Sequence, residues 1–268
     1  MNSMNPIPDE IRHGISRRAA LGLGGAALAA FAVADPLATA APPTALFPRE
    51  APRPKKGLRV ATCQFPVSAS VTENARQIRE FMRRAVKSGA HLLHTSEASL
   101  SGYAGIDVPS LDGYDWELLR RETAAIRGLA KELDLWLVLG STHYLDAHTK
   151  PTNCLYLIDP GGEIVDRYDK SMCTGGDQKH YSAGNHLVVQ DIRGLRVGLA
   201  ICYDICWPQI YMAYREHGVT LMLHSFHNAA KNRFQIVLNC IEEARRHLWL
   251  LHSCIKNSRT RVCIVLFG

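Results

Sequence analysis

Three residues of different chemistry each close an apolar run: Glu97 in Ser96-Glu97-Ala98-Ser99-Leu100-Ser101-Gly102-Tyr103, Lys170 in Tyr168-Asp169-Lys170, and Cys202 in Leu199-Ala200-Ile201-Cys202-Tyr203-Asp204. A carboxylate, an ammonium and a thiol supply a general base, a stabiliser of developing negative charge and a nucleophile. That set is what cleaving a carbon–nitrogen bond calls for. Cys202 is the best placed of the eight cysteines, because Val197-Gly198-Leu199-Ala200-Ile201 leads into it and Trp207-Pro208 opens a helix soon after. A strand-to-helix elbow exposes its side chain at the end of the sheet, near helix N–H groups that are expected to favour the thiolate. The backbone N–H of Tyr203 is then the natural oxyanion donor. Glu97 ends a strand in apolar surroundings that strip it of water, as a useful base requires. Singly these are a buried structural cysteine, a loop carboxylate and a solvated turn lysine. Their order and setting together carry the chemistry.

The elements that must position them follow from hydrophobic period. Alternation over 58–65, stopped by Pro66, predicts a first strand. Over 72–88, Ala75, Ile78, Phe81, Met82, Ala85 and Val86 fall at helical spacing, with Thr72 to cap the start and Gly89 the end. A short strand over 91–95, a helix over about 116–133 and a strand over 135–144 come next. Strand-like runs at 153–159 and 164–168 flank Pro160-Gly161-Gly162 and predict a hairpin; 187–192 and 195–202 repeat the device around Arg193-Gly194. A helix over 207–217, a strand over 219–225 and a helix over about 228–248 complete the pattern. Strands alternating with helices, interrupted by hairpins, predict an α/β fold with mixed sheet covered by helices on one face.

With 268 residues, 47% of them hydrophobic and 21% charged, the chain has enough apolar material for a substantial core. The net charge of +6 is spread without a Lys/Arg run, which argues against nucleic-acid binding. Ser16-Arg17-Arg18, the apolar stretch 19–33 and the small residues Ala38-Thr39-Ala40 are similar to a twin-arginine export signal, although Ala20 stands where a bulky residue is usual. Three segments are therefore expected: a signal over 1–40 cut near Ala40, a Pro-rich leader over 41–57 and a hydrolase domain over 58–268. Export to the periplasm or the outside follows, with the twin-arginine machinery as a partner. The cysteine spacing is not that of a compact disulfide framework.

The three motifs together resemble the nitrilase, or carbon–nitrogen hydrolase, superfamily. The resemblance extends to Ala61-Thr62-Cys63-Gln64, Asp159-Pro160-Gly161-Gly162 and Tyr181-Ser182-Ala183-Gly184, and covers roughly 58–228. It implies an α-β-β-α sandwich that often forms homo-oligomers, with no metal and no organic cofactor. It implies that Glu97 takes the proton of Cys202, that Cys202 attacks an amide, N-carbamoyl or nitrile carbon to form a thioester, and that Lys170 stabilises the oxyanion. The family commonly has a second Glu after the lysine; Asp177 in Thr174-Gly175-Gly176-Asp177 is the counterpart here, one methylene shorter, with the glycines expected to supply the adjustment. After 248 the chain matches the family's closing strands poorly, so the domain is expected to be C-terminally incomplete, with an uncovered sheet edge. Amide or N-carbamoyl hydrolysis is the expected activity. The alternatives are nitrile hydrolysis by the same triad and a catalytically inactive relic that only binds. Cys202 with Cys206, and the close pair His224 and His227, leave a regulatory disulfide or a metal site as lesser alternatives. His180 and His227 are candidates for substrate contact, and Trp207 and Tyr103 for an aromatic wall.

Overall fold

The computed structural model describes residues 57–146 and 148–227, with the backbone of Trp249–Cys254 and Arg261–Phe267. The expected signal, nearly all of the leader and the helix over 228–248 lie outside the described residues. The elements in chain order are β1 (Leu58–Gln64), α1 (Val71–Lys87), β2 (Leu92–His94), α2 (Trp116–Glu132), β3 (Trp136–His143), β4 (Thr152–Ile158), β5 (Ile164–Asp169), β6 (Val189–Ile192), β7 (Leu195–Ile201), α3 (Pro208–Glu216), β8 (Leu221–Phe226), β9 (Trp249–Cys254) and β10 (Arg261–Phe267). They build a six-stranded sheet, β10-β1-β2-β3-β4-β5, and a four-stranded sheet, β6-β7-β8-β9.

Alternation along the strands sorts side chains into two cores. On one face of the large sheet, Ala61, Cys63, Leu93, Leu137 and Leu139 meet the apolar stripes of α1 (Ala75, Ile78, Phe81, Met82) and α2 (Ile126, Leu129, Ala130). On the other face, Val60, Leu92, Val138, Leu155 and Leu157 meet Val197, Leu199, Leu221 and Leu223 of the small sheet. The far face of the small sheet carries α3, whose Tyr214 hydroxyl donates to the Leu199 carbonyl at 2.6 Å beside Gly198. The layers run α-β-β-α, so each sheet is covered by helices on one face, as expected, and packs against the other sheet on its opposite face. Ser70, not Thr72, caps α1: its Oγ accepts from the Glu73 N–H at 3.3 Å.

The chain after 248 supplies two further strands, which become edge strands of the two sheets. β9 pairs in parallel with β8 from Leu221 to Phe226, and β10 pairs antiparallel with β1 along its whole length. The apolar runs WLLHSC and RVCIVLF are ordinary strand sequences, and each saturates the backbone groups of a strand that would otherwise be an edge. Both hairpins form as expected, β4 against β5 and β6 against β7. Arg193 (φ 51°) and Gly194 (φ 85°) both take the left-handed backbone that a two-residue hairpin turn requires.

Strand direction explains where the chemistry gathers. β1, β2 and β3 are parallel, β4 reverses and β5 reverses again, so β2 and β5 end, and β4 begins, at the same end of the large sheet. β7 and β8 are parallel in the small sheet.

Candidate active site

Glu97 stands just past β2, Lys170 directly after β5 and Cys202 directly after β7. The turn bearing Glu97 passes through Ala98 at φ 51° and lies flat on β3. It can do so because position 140 is glycine: a Cβ there would sit 2.0 Å from the Ser96 carbonyl oxygen. The Glu97 carboxylate is fully buried and collects donors from three directions. Lys170 Nζ donates to Oε1 at 2.9 Å, Asn153 Nδ2 to the same oxygen at 2.8 Å, and the His227 backbone N–H to Oε2 at 2.8 Å. The Cys202 thiol lies close enough to this carboxylate to feel its charge. The three residues singled out in the sequence therefore converge on one point.

Asp177 joins them. Its Oδ2 lies 2.9 Å from Lys170 Nζ and accepts from the Thr174 N–H at 2.7 Å, while Oδ1 accepts from the Tyr103 hydroxyl. It starts a short 3-10 turn, Asp177–Lys179, and Gly176 before it has ordinary right-handed backbone (φ −72°, ψ −45°). Glycine's conformational freedom is thus not what brings the shorter acid into reach. Burial pushes the Asp177 carboxyl up, but the Lys170 ammonium and the Tyr103 hydroxyl outweigh it and hold it below the usual carboxylate range. Burial likewise works against the Lys170 charge, yet Glu97, Cys202 and Asp177 around it raise its affinity for the proton well above that of an ordinary lysine.

Cys202 has φ 45°, a left-handed backbone that is rare for a side-chain-bearing residue, and it opens the short 3-10 helix Cys202–Cys206. The Tyr203 N–H falls in the first turn of that helix, where N–H groups have no partner within the helix. Asp204 fastens the elbow. It accepts from the Ile201 N–H (2.9 Å), the Tyr168 hydroxyl (2.8 Å) and the Met172 N–H (2.7 Å), tying the nucleophile's turn to the segment that carries Lys170. The elbow does not favour a thiolate, contrary to expectation. Burial first, then the neighbouring Glu97 charge, push the thiol well above its ordinary value, and Lys170 offsets this only in part. Cys202 carries a free thiol, not a disulfide.

Sequence reasoning missed Asn153, Asp107 and the anchoring role of Asp204. Asp107 Oδ2 accepts from the Tyr103 N–H at 2.9 Å and from His227 Nε2 at 2.8 Å. His227 stacks on Tyr103, with centroids 4.9 Å apart, and the Tyr103 ring lies 5.7 Å from Lys170 Nζ. Trp207 instead meets the Tyr203 ring edge-on at 4.8 Å, and His180 packs against Tyr181 and Gly105. A groove of about 320 Å³ beside α2, lined by Trp116, Tyr144 and Tyr156 among others, contains none of the residues that converge on Glu97.

A buried carboxylate and ammonium and a half-buried thiol thus come together at strand ends of an α-β-β-α sandwich. The family model for carbon-nitrogen hydrolases matches residues 59–247, and the chain belongs to that family. It is 26% identical over 175 residues to the omega-amidase NIT2 of Homo sapiens, and 27% identical over 180 residues to a deaminated glutathione amidase of Yersinia enterocolitica. Each alignment covers 62% of this chain and 62% of the relative's length. Among solved structures, an amidase from Nesterenkonia sp. superposes with a TM-score of 0.69 at 20% identity, covering 79% of this chain and 90% of that one. A variant of that amidase, with TM-score 0.70, shows covalent addition of the acetamide moiety of fluoroacetamide at its active-site cysteine. At this identity the likeness establishes the shared fold.

Proposed function

We propose that this chain hydrolyses small amides or N-carbamoyl compounds through a Cys202 thioester. The observation that carries the reading is the convergence of Lys170 Nζ, at 2.9 Å, and the Cys202 thiol on one buried carboxylate, Glu97. A protonated thiol needs a base at the moment of attack, and Glu97 is the carboxylate beside it. Glu97 takes the proton as sulfur attacks the carbonyl carbon. Lys170 and the Tyr203 N–H receive the negative charge on oxygen. Protonated Glu97 returns its proton to the departing nitrogen, and ammonia leaves as the tetrahedral adduct collapses to the thioester. Glu97 then deprotonates a water, which adds to the thioester; the thiol is released and the carboxylic acid product departs. Asp177 holds Lys170 in place, and Asn153 and the His227 N–H hold Glu97.

The names of the amidases similar to this chain favour an amide over a nitrile. The reading extends to export, supported by Arg17-Arg18 with the apolar stretch after them, and to self-association, supported by the family resemblance. The test is ammonia release from a panel of amides, N-carbamoyl amino acids and nitriles by the protein and by Cys202→Ala. Release that is lost in Cys202→Ala supports the proposal and names the substrate class. Release that survives in Cys202→Ala, or a folded protein inert toward the whole panel, overturns it.

A further inference from the structure

The residues around Glu97 do not balance in charge. Glu97, Asp177 and Asp107 are three carboxylates within one hydrogen-bonded cluster, and Lys170 is the single ammonium that reaches it among the described residues. Lys170 is spent on Glu97 and Asp177, both at 2.9 Å. Asp107, in the Tyr103 loop, accepts from the Tyr103 N–H at 2.9 Å, and its ionisable partner is His227 at 2.8 Å. A buried carboxylate without a cation is costly, and its partner is pressed to be charged.

The connections of His227 reach further than a surface ion pair would. Its side chain is only 5% exposed. Its backbone N–H holds Glu97 Oε2, its ring stacks on Tyr103, and its Nε2 shares Asp107 Oδ2 with the Tyr103 N–H. Tyr103 in turn holds Asp177 through its hydroxyl, and its ring lies 5.7 Å from Lys170 Nζ. One residue at the end of β8 therefore joins the base of the small amide-cleaving centre to the loop that completes it.

We propose that His227 is a positioning residue for Glu97: as an imidazolium paired with Asp107, it supplies the second cation of the cluster and holds base and Tyr103 loop in register. This rests on the reading of Glu97 and Cys202 given above. The groups facing His227 among the described residues are Asp107 and Tyr103 from the loop and Glu97 from the β2 end, with Lys170 and Asp177 also in contact with Tyr103. Burial lowers the proton affinity of the imidazole, but the Asp107 hydrogen bond and charge and the Glu97 charge reverse that, leaving it above the ordinary histidine range. Loss of this proton makes the cluster more negative and opposes formation of the Cys202 thiolate during attack.

The test follows alkylation of Cys202 by iodoacetamide, resolved by peptide mass spectrometry, from pH 6 to pH 9 in the full chain and in His227→Gln. The variant keeps the backbone N–H to Glu97 and removes the charge. At pH 6 it is expected to react about tenfold more slowly, the scale of one lost charged contact. The two rates are expected to converge as pH rises, because the wild-type imidazole then becomes neutral as well. Asp107→Asn breaks the same pair from the other side and is expected to show the same convergence. A rate ratio near one throughout, or one that does not change with pH, overturns the proposal, since a merely structural loss has no reason to vanish at alkaline pH. Alkylation does not require turnover. Convergence in a protein inert toward every amide would sink the hydrolase reading and leave the role of His227 standing, whereas a flat ratio in an active amidase does the reverse.

Discussion

Replacing Asp177 with asparagine tests whether the buried ion cluster is what the structure makes it. The Asp177 carboxylate accepts from the Tyr103 hydroxyl, from Lys170 Nζ at 2.9 Å and from the Thr174 N–H at 2.7 Å. Its side chain and that of Lys170 are both sealed from solvent. An amide of the same shape has one accepting oxygen, and its NH2 group must face at least one of those donors. Each buried donor left unsatisfied costs about 1–3 kcal/mol, and removing one member of a buried ion pair about 3–5 kcal/mol. The two overlap, and Lys170 keeps Glu97, so a net loss of about 3 kcal/mol is expected. Urea unfolding reads this as a midpoint lowered by at least about 1 M, and Tyr103→Phe, which removes only one donor, should move it less. Ammonia release should fall with it, since Lys170 is then free to swing from the oxyanion position. An Asp177→Asn protein within about 1 kcal/mol of wild type would refute the reasoning.

Two further outcomes follow from the geometry. Gly140→Ala would place a Cβ 2.0 Å from the Ser96 carbonyl oxygen, a backbone atom that cannot step aside. It should cost about 3 kcal/mol or more in unfolding free energy and abolish ammonia release by displacing Glu97. Burial pushes Asp204 up to about 6 from 3.8, so between those values the folded state binds the proton and the unfolded state does not. Its contribution therefore falls by about 3 kcal/mol as pH rises through that window and is constant above it. Comparing unfolding free energies at pH 4 and pH 7 for the wild type and Asp204→Asn isolates that slope, which the variant should lack.

The core of the site was legible because each reactive residue closes its own strand. Glu97, Lys170 and Cys202 sit where apolar alternation stops, and strand ends are where a sheet exposes side chains. Their partners are harder to read. Asn153 lies in a strand whose every residue is buried, and a polar residue at the start of such a run was the one available signal. Asp107 and His227 lie far apart in the chain and meet only because β8 and the Tyr103 loop end together. The closing strands were missed for a different reason. RVCIVLF is a strong strand pattern by itself, but it does not resemble the family's closing strands. The pairing of β10 with β1 depends on backbone hydrogen bonds, which tolerate almost any apolar sequence.

The protonated thiol changes how the site has to work. A cysteine that rests as a thiolate needs a cation or helix N-terminus beside it and can dispense with a base. Here the residue nearest in chemistry to Cys202 is an acid, Glu97, and burial together with that acid keeps the proton on sulfur. Lys170 does not reverse this, because Glu97 and Asp177 already claim its charge at 2.9 Å each. On the proposed reading, proton transfer and attack are coupled, so the thiolate forms only when a carbonyl is in place to accept it. The left-handed backbone of Cys202 and the three donors on Asp204 fix the turn that carries the sulfur. On the same proposed reading, reactivity is thereby tied to substrate geometry, and a half-buried thiol that keeps its proton resists adventitious oxidation, which attacks thiolates.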